Sequence, residues 1–251
     1  MWKACIRRSP WPLTMAESSP ATQTTPRLSA RSTERSTFSN PLPADQSRLS
    51  INGAAAAAGY WVDAQKITHG FVRSSDGSFT SFDAPNQGGG LNPGTYALSI
   101  NDSGSITGYV SDSLGMHGFL RSPSGDFTLF QVNPATVPLS INATGEITGY
   151  WQDNNGLDHA WVRATDGTIT TFAGNDVDVS AISDCINAAG VTGGTISGSG
   201  FLRTADGTIT YFLVNGNSPT VTSVNSANTV VGSFTPNELH QGFNHGFLRT
   251  E

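Results

Sequence analysis

Apolar and polar residues alternate in short bursts along this chain, and the bursts follow one order that recurs five times. The clearest copy, residues 99–130, reads SIN, GSITGY, HGFLR, a Gly-containing turn and FTLF. The copies register on Asn52, Asn101, Asn142, Asn187 and Asn225, at spacings of 49, 41, 45 and 38 residues. Short runs rich in Ile, Val, Thr and aromatic residues, bounded by Gly, Asn and Asp, read as strands. Several such strands inside a period of about 40 to 50 residues point to propeller blades or an open β array.

Each copy divides into four strands. Strand a ends in SIN, as in residues 96–101, and is followed by a turn that begins with Asn and carries Gly in fourth place at residues 101–104, 142–145 and 187–190. That pattern predicts a type I turn closed by a left-handed residue. Strand b covers 105–110 or 146–151. Strand c is the HGF stretch at 69–73, 117–121, 159–163 and 245–249, with 199–203 as the deviant copy. Asp76-Gly77, Ser124-Gly125, Asp166-Gly167 and Asp206-Gly207 predict two-residue reversals into strand d at 79–82, 127–130, 169–172 and 209–212.

The fifth copy stops at Glu251 without a strand d, whereas Ser36-Thr37-Phe38-Ser39-Asn40-Pro41 resembles the strand-d stretch Thr80-Ser81-Phe82-Asp83-Ala84-Pro85. If Phe38 belongs to the outer strand of the last blade, the N-terminal segment completes what the C-terminus begins, and exposed sheet edges disappear. The pattern therefore predicts an all-β fold: a five-bladed β-propeller of four-stranded antiparallel blades over residues 36–251, closed by an N-terminal strand pairing with the C-terminal blade. An open solenoid is the competing architecture, and it gives no reason for a strand-d copy at residue 38.

Composition changes the picture mainly at the N-terminus. Residues 1–35 are rich in Ser, Thr and Pro, with scattered basic residues, and read as a disordered tail. From residue 49 onward the chain has 6 basic and 16 acidic residues, a formal charge of −10 that should repel phosphate backbones and excludes nucleic acid as a partner. Residues 1–14 lack the apolar run of roughly 7 to 15 residues that a signal peptide needs, and no stretch approaches the roughly 18 apolar residues of a membrane helix. No export signal or membrane span is expected. Met15 is a candidate alternative start. Cys185 occupies the slot held elsewhere by Ser50, Ser99, Ser140 and Ser223, so a buried free thiol is expected there rather than a bridge to Cys5.

The reiterated His69-Gly70-Phe71, His117-Gly118-Phe119, His159-Ala160-Trp161 and His245-Gly246-Phe247, together with SIN and GxITGY, resemble the HAF-family extracellular repeat of bacteria over roughly residues 36–251. That resemblance implies a secreted or surface-associated protein without an assigned reaction.

Candidate chemistry is sparse. The b–c and d–a connections, which share one face, differ in length, and ligands tend to bind at loops free to vary on a rigid scaffold. Tyr60, Trp61, Tyr109, Tyr150, Trp151 and His240, in the 233–244 loop, are the candidate ligand contacts there, for a glycan or a protein partner of a monomeric binding module. His69, His117, His159 and His245 fall on different blades, too far apart for metal ions that need ligands within about 2 Å, so no metal or cofactor is expected. Asp63, Asp112 and Asp153 precede three of these histidines and predict Asp-to-His hydrogen bonds across the b–c connections. Arg73, Arg121, Arg163, Arg203 and Arg249, one per blade, read as a repeated ion pair or carbonyl clamp. No catalytic residue is assigned. The alternative, a polysaccharide-acting hydrolase or lyase, needs two carboxylates about 5 to 10 Å apart, and strand a offers only Asp45 and Asp184.

Overall fold

The computed structural model describes residues 49–85, 89, 92–133, 135–172, 180–236 and 244–250. All regular structure in them is β. The first antiparallel unit contains β1 (Leu49–Ile51), β2 (Ala57–Val62), β3 (Thr68–Arg73) and β4 (Phe79–Phe82), and the second β5 (Gly94–Ile100), β6 (Ile106–Asp112), β7 (Gly115–Arg121) and β8 (Phe127–Phe130). The third has β9 (Thr136–Ile141), β10 (Ile147–Gln152), β11 (Asp158–Arg163) and β12 (Ile169–Phe172), and the fourth β13 (Ala181–Ile186), β14 (Thr192–Ile196), β15 (Ser199–Arg203) and β16 (Ile209–Phe212). The fifth has β17 (Pro219–Val224), β18 (Val230–Phe234) and β19 (His245–Arg249). Strands pair in sequence order within each unit, and one parallel pair, Thr68 with Gly94, joins the first two units into an eight-stranded sheet. No sheet closes on itself among the described residues.

Strand a carries a bulge in the later units, with register shifts at Ala97/Ser99, Ser183/Cys185 and Val221/Ser223 and a matching shift opposite Thr148/Gly149. The bulge throws a strand-a carbonyl against strand b. That is why GxITGY contains its second glycine: a Cβ on Gly108 would lie 1.9 Å from the Tyr96 carbonyl oxygen, and on Gly149 2.1 Å from that of Val137.

Two turn expectations are refined. The Asn turns have the expected left-handed fourth residue, Gly104, Gly145 and Gly190, with Ala55 and Asn228 taking that conformation in the first and fifth units. The Asp-Gly reversals are longer than two residues. Gly77 N–H donates to the Ser74 carbonyl at 3.0 Å and Ser74 N–H to that of Ser78 at 2.9 Å, so the turn starts two residues before Asp76 and its left-handed position falls on Gly77. Asp76 instead accepts from Ser78 N–H at 2.8 Å, which holds the turn from outside.

Apolar side chains fill the spaces between consecutive units. Ala58, Ala97, Ile100, Ile106 and Phe119 lie between the first and second; Ile141, Ile147 and Trp161 pack on Leu120 and Phe130 of the second. Ala181 and Phe201 meet Ala160 and Phe172, and Val221 and Val230 meet Cys185 and Phe212. Cys185 is buried and takes part in no disulfide among the described residues.

Polar groups join the same interfaces. The strand-a Asn of each of the first four units uses its side-chain oxygen to cap its own turn and its Nδ2 to reach the next unit: Asn52 to the Asn101 carbonyl at 3.0 Å, Asn101 to that of Asn142 at 3.0 Å, Asn142 to that of Asn187 at 3.0 Å, and Asn187 to that of Asn225 at 2.8 Å. Four links thus tie five units into one chain of hydrogen bonds, and among the described residues no fifth link runs from Asn225 back to Asn52. The flank of the first unit is correspondingly open. Leu49 and Ile51 are 51% and 55% exposed, whereas Leu98, Leu139, Ile100, Ile141 and Ile186 in the same places are at most 6% exposed. The expected tail, residues 1–35, and the expected closing strand at Phe38 lie outside the described residues.

Candidate functional site

The two faces of the array differ in chemistry. On the face of the Asn turns, residues from all five units line one cavity of about 410 Å³. Its lining combines apolar Ile51, Ile186 and Val224, the turn residues Asn52, Asn142 and Asn187, and the residues that follow each turn Asn: Gly53, Asp102, Ala143, Ala188 and Ser226. Asp102 is the one charged residue of that lining among the described residues, and its carboxylate accepts from Gly53 N–H at 2.7 Å across the first interface.

Further along the same strands, strand b carries Tyr60, Tyr109 and Tyr150 as its fourth residue, and the bulged strand a sets Tyr96 opposite Tyr109. All four pack on Leu98, Val137 and Leu139 of the inner strands and are partly buried. Tyr60 meets Tyr96 edge to face at 5.0 Å, and Tyr96 stacks on Tyr109 at 4.5 Å with their planes 10° apart. Tyr96 hydroxyl donates to the Asn92 carbonyl at 3.2 Å. The aromatic arc covers the first three units. The fourth and fifth put Thr195 and Ser233 where the first three put tyrosine, so the face is aromatic on one side and small and polar on the other.

The candidate aromatic residues therefore fall into two groups. Tyr60, Tyr109 and Tyr150 are brought together, whereas Trp61 and Trp151, one residue further along each strand, project to the other side of their sheets. Trp61 stacks on His69 at 4.7 Å and donates Nε1–H to Ser81 Oγ at 3.0 Å; Trp151 stacks on His159 at 4.1 Å and packs against Ile141, Ile147 and Trp161. His240 lies outside the described residues. Tyr96 was not anticipated. The signal was present: its strand-a slot is aromatic in this unit alone, and antiparallel pairing sets it opposite Tyr109.

The b–c connections are less varied than their sequences suggest. Those of the first and third units are five-residue turns capped by Asp63 and Asp153. The segment 111–116, expected as a loop, is mostly strand, leaving Ser113 and Leu114 as a two-residue turn. The Asp carboxylates also reach the histidines: Asp63 to His69 Nε2 at 3.4 Å, Asp112 to His117 Nε2 at 3.3 Å and Asp153 to His159 Nε2 at 3.2 Å. Backbone N–H donation from Ile67 holds Asp63 below the usual carboxylate range, with His69 adding to the effect, and Leu157 and His159 do the same for Asp153. His69 Nδ1 also contacts Asp83 at 2.8 Å. His245 packs near Phe234 in the fifth unit. Among the described residues no three His, Cys, Asp or Glu side chains converge on a metal position.

The arginines form a second repeat network. Arg121, Arg163 and Arg203 donate through Nη1 to the carbonyl of the following residue at 3.3 to 3.4 Å. Each lies over the strand-d Phe of the preceding unit: Arg121 over Phe82 at 4.6 Å, Arg163 over Phe130 at 5.1 Å, Arg203 over Phe172 at 4.7 Å and Arg249 over Phe212 at 4.7 Å. Burial lowers the pKa of Arg121 and Arg203. Of the acids considered for catalysis, Asp184 is buried within the bulge of β13, and Asp45 lies outside the described residues. No helix among the described residues is long and apolar enough to cross a membrane.

No family model and no curated protein matches the chain. Solved structures do. A streptogramin B lyase structure is 12% identical, with a TM-score of 0.54 over 84% of this chain and 72% of that one. A catalytically inactive variant of virginiamycin B lyase from Staphylococcus aureus, with quinupristin, is 12% identical with a TM-score of 0.53 over 84% of this chain and 71% of that one. The likeness shows a shared fold, that of the β-propeller, as repeated four-stranded antiparallel sheets.

Proposed function

We propose that the five units stand around one axis as a five-bladed propeller, the fifth blade completed by chain from before residue 49, and that this body is a non-catalytic binding module. Three features support the ring: one cavity is lined by residues of all five units, four successive Asn links repeat the same contact from each unit to the next, and the TM-scores exceed 0.5. The ligand is a carbohydrate or another surface polymer, the setting implied by the HAF-type repeats, and it is bound on the face of the variable loops by a monomer outside the cell.

The observation that carries this reading is the partly buried, partly accessible group of Tyr60, Tyr96, Tyr109 and Tyr150 at that face. Aromatic faces beside small hydroxyl residues suit the apolar face and the hydroxyls of a pyranose ring. A glycan array followed by titration of Tyr109→Ala, Trp61→Ala and Trp151→Ala tests it. A loss of about tenfold or more for Tyr109→Ala, near 1.4 kcal/mol, with an unchanged fold is the expected result. Absence of any glycan ligand, or unchanged affinity, refutes it.

A second reading is a polysaccharide-acting hydrolase or lyase, favoured by the fold likeness to two lyase structures. Its test is turnover across a polysaccharide panel that disappears in Asp45→Asn or Asp184→Asn. Against it stand the three histidines, each tied to an Asp of its own unit rather than gathered at one centre.

A further inference from the structure

Charge is sorted along the strands. Among the described residues every arginine closes strand c at the end beside the Asn turns, where Arg73 pairs with Ala57, Arg121 with Ile106, Arg163 with Ile147, Arg203 with Thr192 and Arg249 with Val230. Six carboxylates share that end with them, Asp76, Asp102, Asp126, Glu146, Asp166 and Asp206, so it is close to balanced. The other end of the sheets, where strand b passes into strand c and strand d leaves the unit, is not. It carries Asp63, Asp83, Asp112, Asp153 and Asp158 against Lys66 alone among the described residues, a formal charge of −4 with histidines neutral. The sequence between β12 and β13 contains Asp176 and Asp178, that between β18 and β19 contains Glu238, and neither contains Lys or Arg.

The acidic and the aromatic groups coincide. Tyr60, Tyr109 and Tyr150 are followed three residues later by Asp63, Asp112 and Asp153. The fourth and fifth units, with Thr195 and Ser233 in the tyrosine slot, have Gly198 and Pro236 in the Asp slot. Three residues of strand span about 10 Å, close to the Debye length of about 8 Å at physiological salt, so a group held at the tyrosine feels the charge of the carboxylate. The turn N–H donors of Ile67 and Leu157 keep Asp63 and Asp153 ionised at neutral pH. Asp83, beside His69, is the most open of the set, its side chain 42% exposed.

We infer that the polymer bound at the tyrosines is an amino-sugar polymer carrying free ammonium groups, and that uronate, sulfate and phosphate polymers are rejected. This deepens the glycan reading above and rests on it. The tyrosines take the pyranose ring, while the carboxylates of the same three units attract the ammonium groups and repel anions. A basic peptide would meet the same charges, but it has no use for aromatic faces set beside the hydroxyls of Thr195 and Ser233.

The test titrates the full chain with a β-1,4-linked glucosamine oligomer, its fully N-acetylated form, a galacturonate oligomer and oligolysine, all of matched length, at a pH where the amines are protonated. The glucosamine oligomer is expected to bind at least about tenfold more tightly than the N-acetylated form, with the margin shrinking as salt is raised, and galacturonate is expected not to bind. Lys66→Glu is expected to tighten the glucosamine oligomer about threefold and Asp83→Asn to weaken it by about as much, neither moving the N-acetylated form. A gain of affinity cannot come from a folding defect. Equal affinity for the two glucosamine forms, binding of galacturonate, or a margin unmoved by salt and by both substitutions overturns the inference and leaves the glycan reading standing. Oligolysine bound as tightly as the glucosamine oligomer, with Tyr109→Ala affecting neither, means that charge alone is read and overturns both. Binding of none of the sugars refutes the glycan reading and this inference with it.

Discussion

Replacing Asn142 by Ala removes more than a turn cap. Asn142 is 2% exposed, and its amide makes four hydrogen bonds: Nδ2 donates to the Asn187 carbonyl at 3.0 Å and to Glu146 Oε2 at 2.7 Å, while Oδ1 accepts from Glu146 N–H at 2.9 Å and Thr144 Oγ1 at 2.7 Å. At about 1 kcal/mol per bond, Asn142→Ala should cost about 3 to 4 kcal/mol. For a chain of this size that is a Tm loss of roughly 8 to 14 °C. Asn225→Ala is the internal control: its Oδ1 caps the same kind of turn through Ala227 and Thr229, but its Nδ2 makes no link to another unit among the described residues. It should cost only about 1 to 2 kcal/mol. Asn142→Asp keeps the cap and turns the donor into a carboxylate oxygen facing Glu146 and a carbonyl, so at neutral pH it should be at least as damaging as Ala. Denaturant unfolding of the three variants decides the matter. Equal costs for Asn142→Ala and Asn225→Ala would show that the inter-unit belt adds nothing.

Other perturbations probe separate parts of the account. Gly108→Ala drives a methyl into the Tyr96 carbonyl and should abolish soluble folded protein, whereas Gly156→Ala, left-handed but with nothing within 4 Å, should cost about 1 kcal/mol in denaturant unfolding. Asp153 has its pKa lowered on folding from the ordinary 3.8, so its contribution is present above that value and is lost as pH falls through the lower folded value. Tm measured from pH 5 to 2 should therefore drop more steeply in the wild type than in Asp153→Asn, and parallel curves would refute the capping role. Arg163→Ala should cost about 1 to 2 kcal/mol through loss of the Phe130 contact and the Ala164 carbonyl clamp, and Arg163→Lys should recover only part of it, since Lys lacks the planar guanidinium that lies over the ring.

The repeat made the architecture readable because local signals agreed in every copy. Asn101 and Gly104 announce their turn in sequence, and Ile106, Thr107 and Tyr109 announce the strand after it. The glycines of ITGY and HGF were visible as motif letters but not as causes: Gly108 is required by a bulge at residues 97–99 on the preceding strand, and Gly118 by Phe130 across a turn. Such contacts depend on register, which periodicity does not report. The site was harder to read. Tyr60 and Trp61 looked equivalent on the chain, yet adjacent residues of a strand point to opposite sides, and neighbouring units decide which side is open. Tyr96 stood in a strand whose other copies hold Val137, Ile182 and Thr220, so nothing repeated drew attention to it. The cavity at the Asn turns depends on small residues from five separate copies and has no local signature at all.

The ring itself is tested most directly by the distance between spin labels on Ala54 and Ala227, exposed turn residues of the first and fifth units. Sheets packed face to face lie about 10 Å apart, so in an open array these turns are four steps, roughly 40 Å, from each other. A single narrow distribution below about 20 Å, two such steps at most, is the result expected of units closed around one axis. A distribution centred near the open-array value would contradict it.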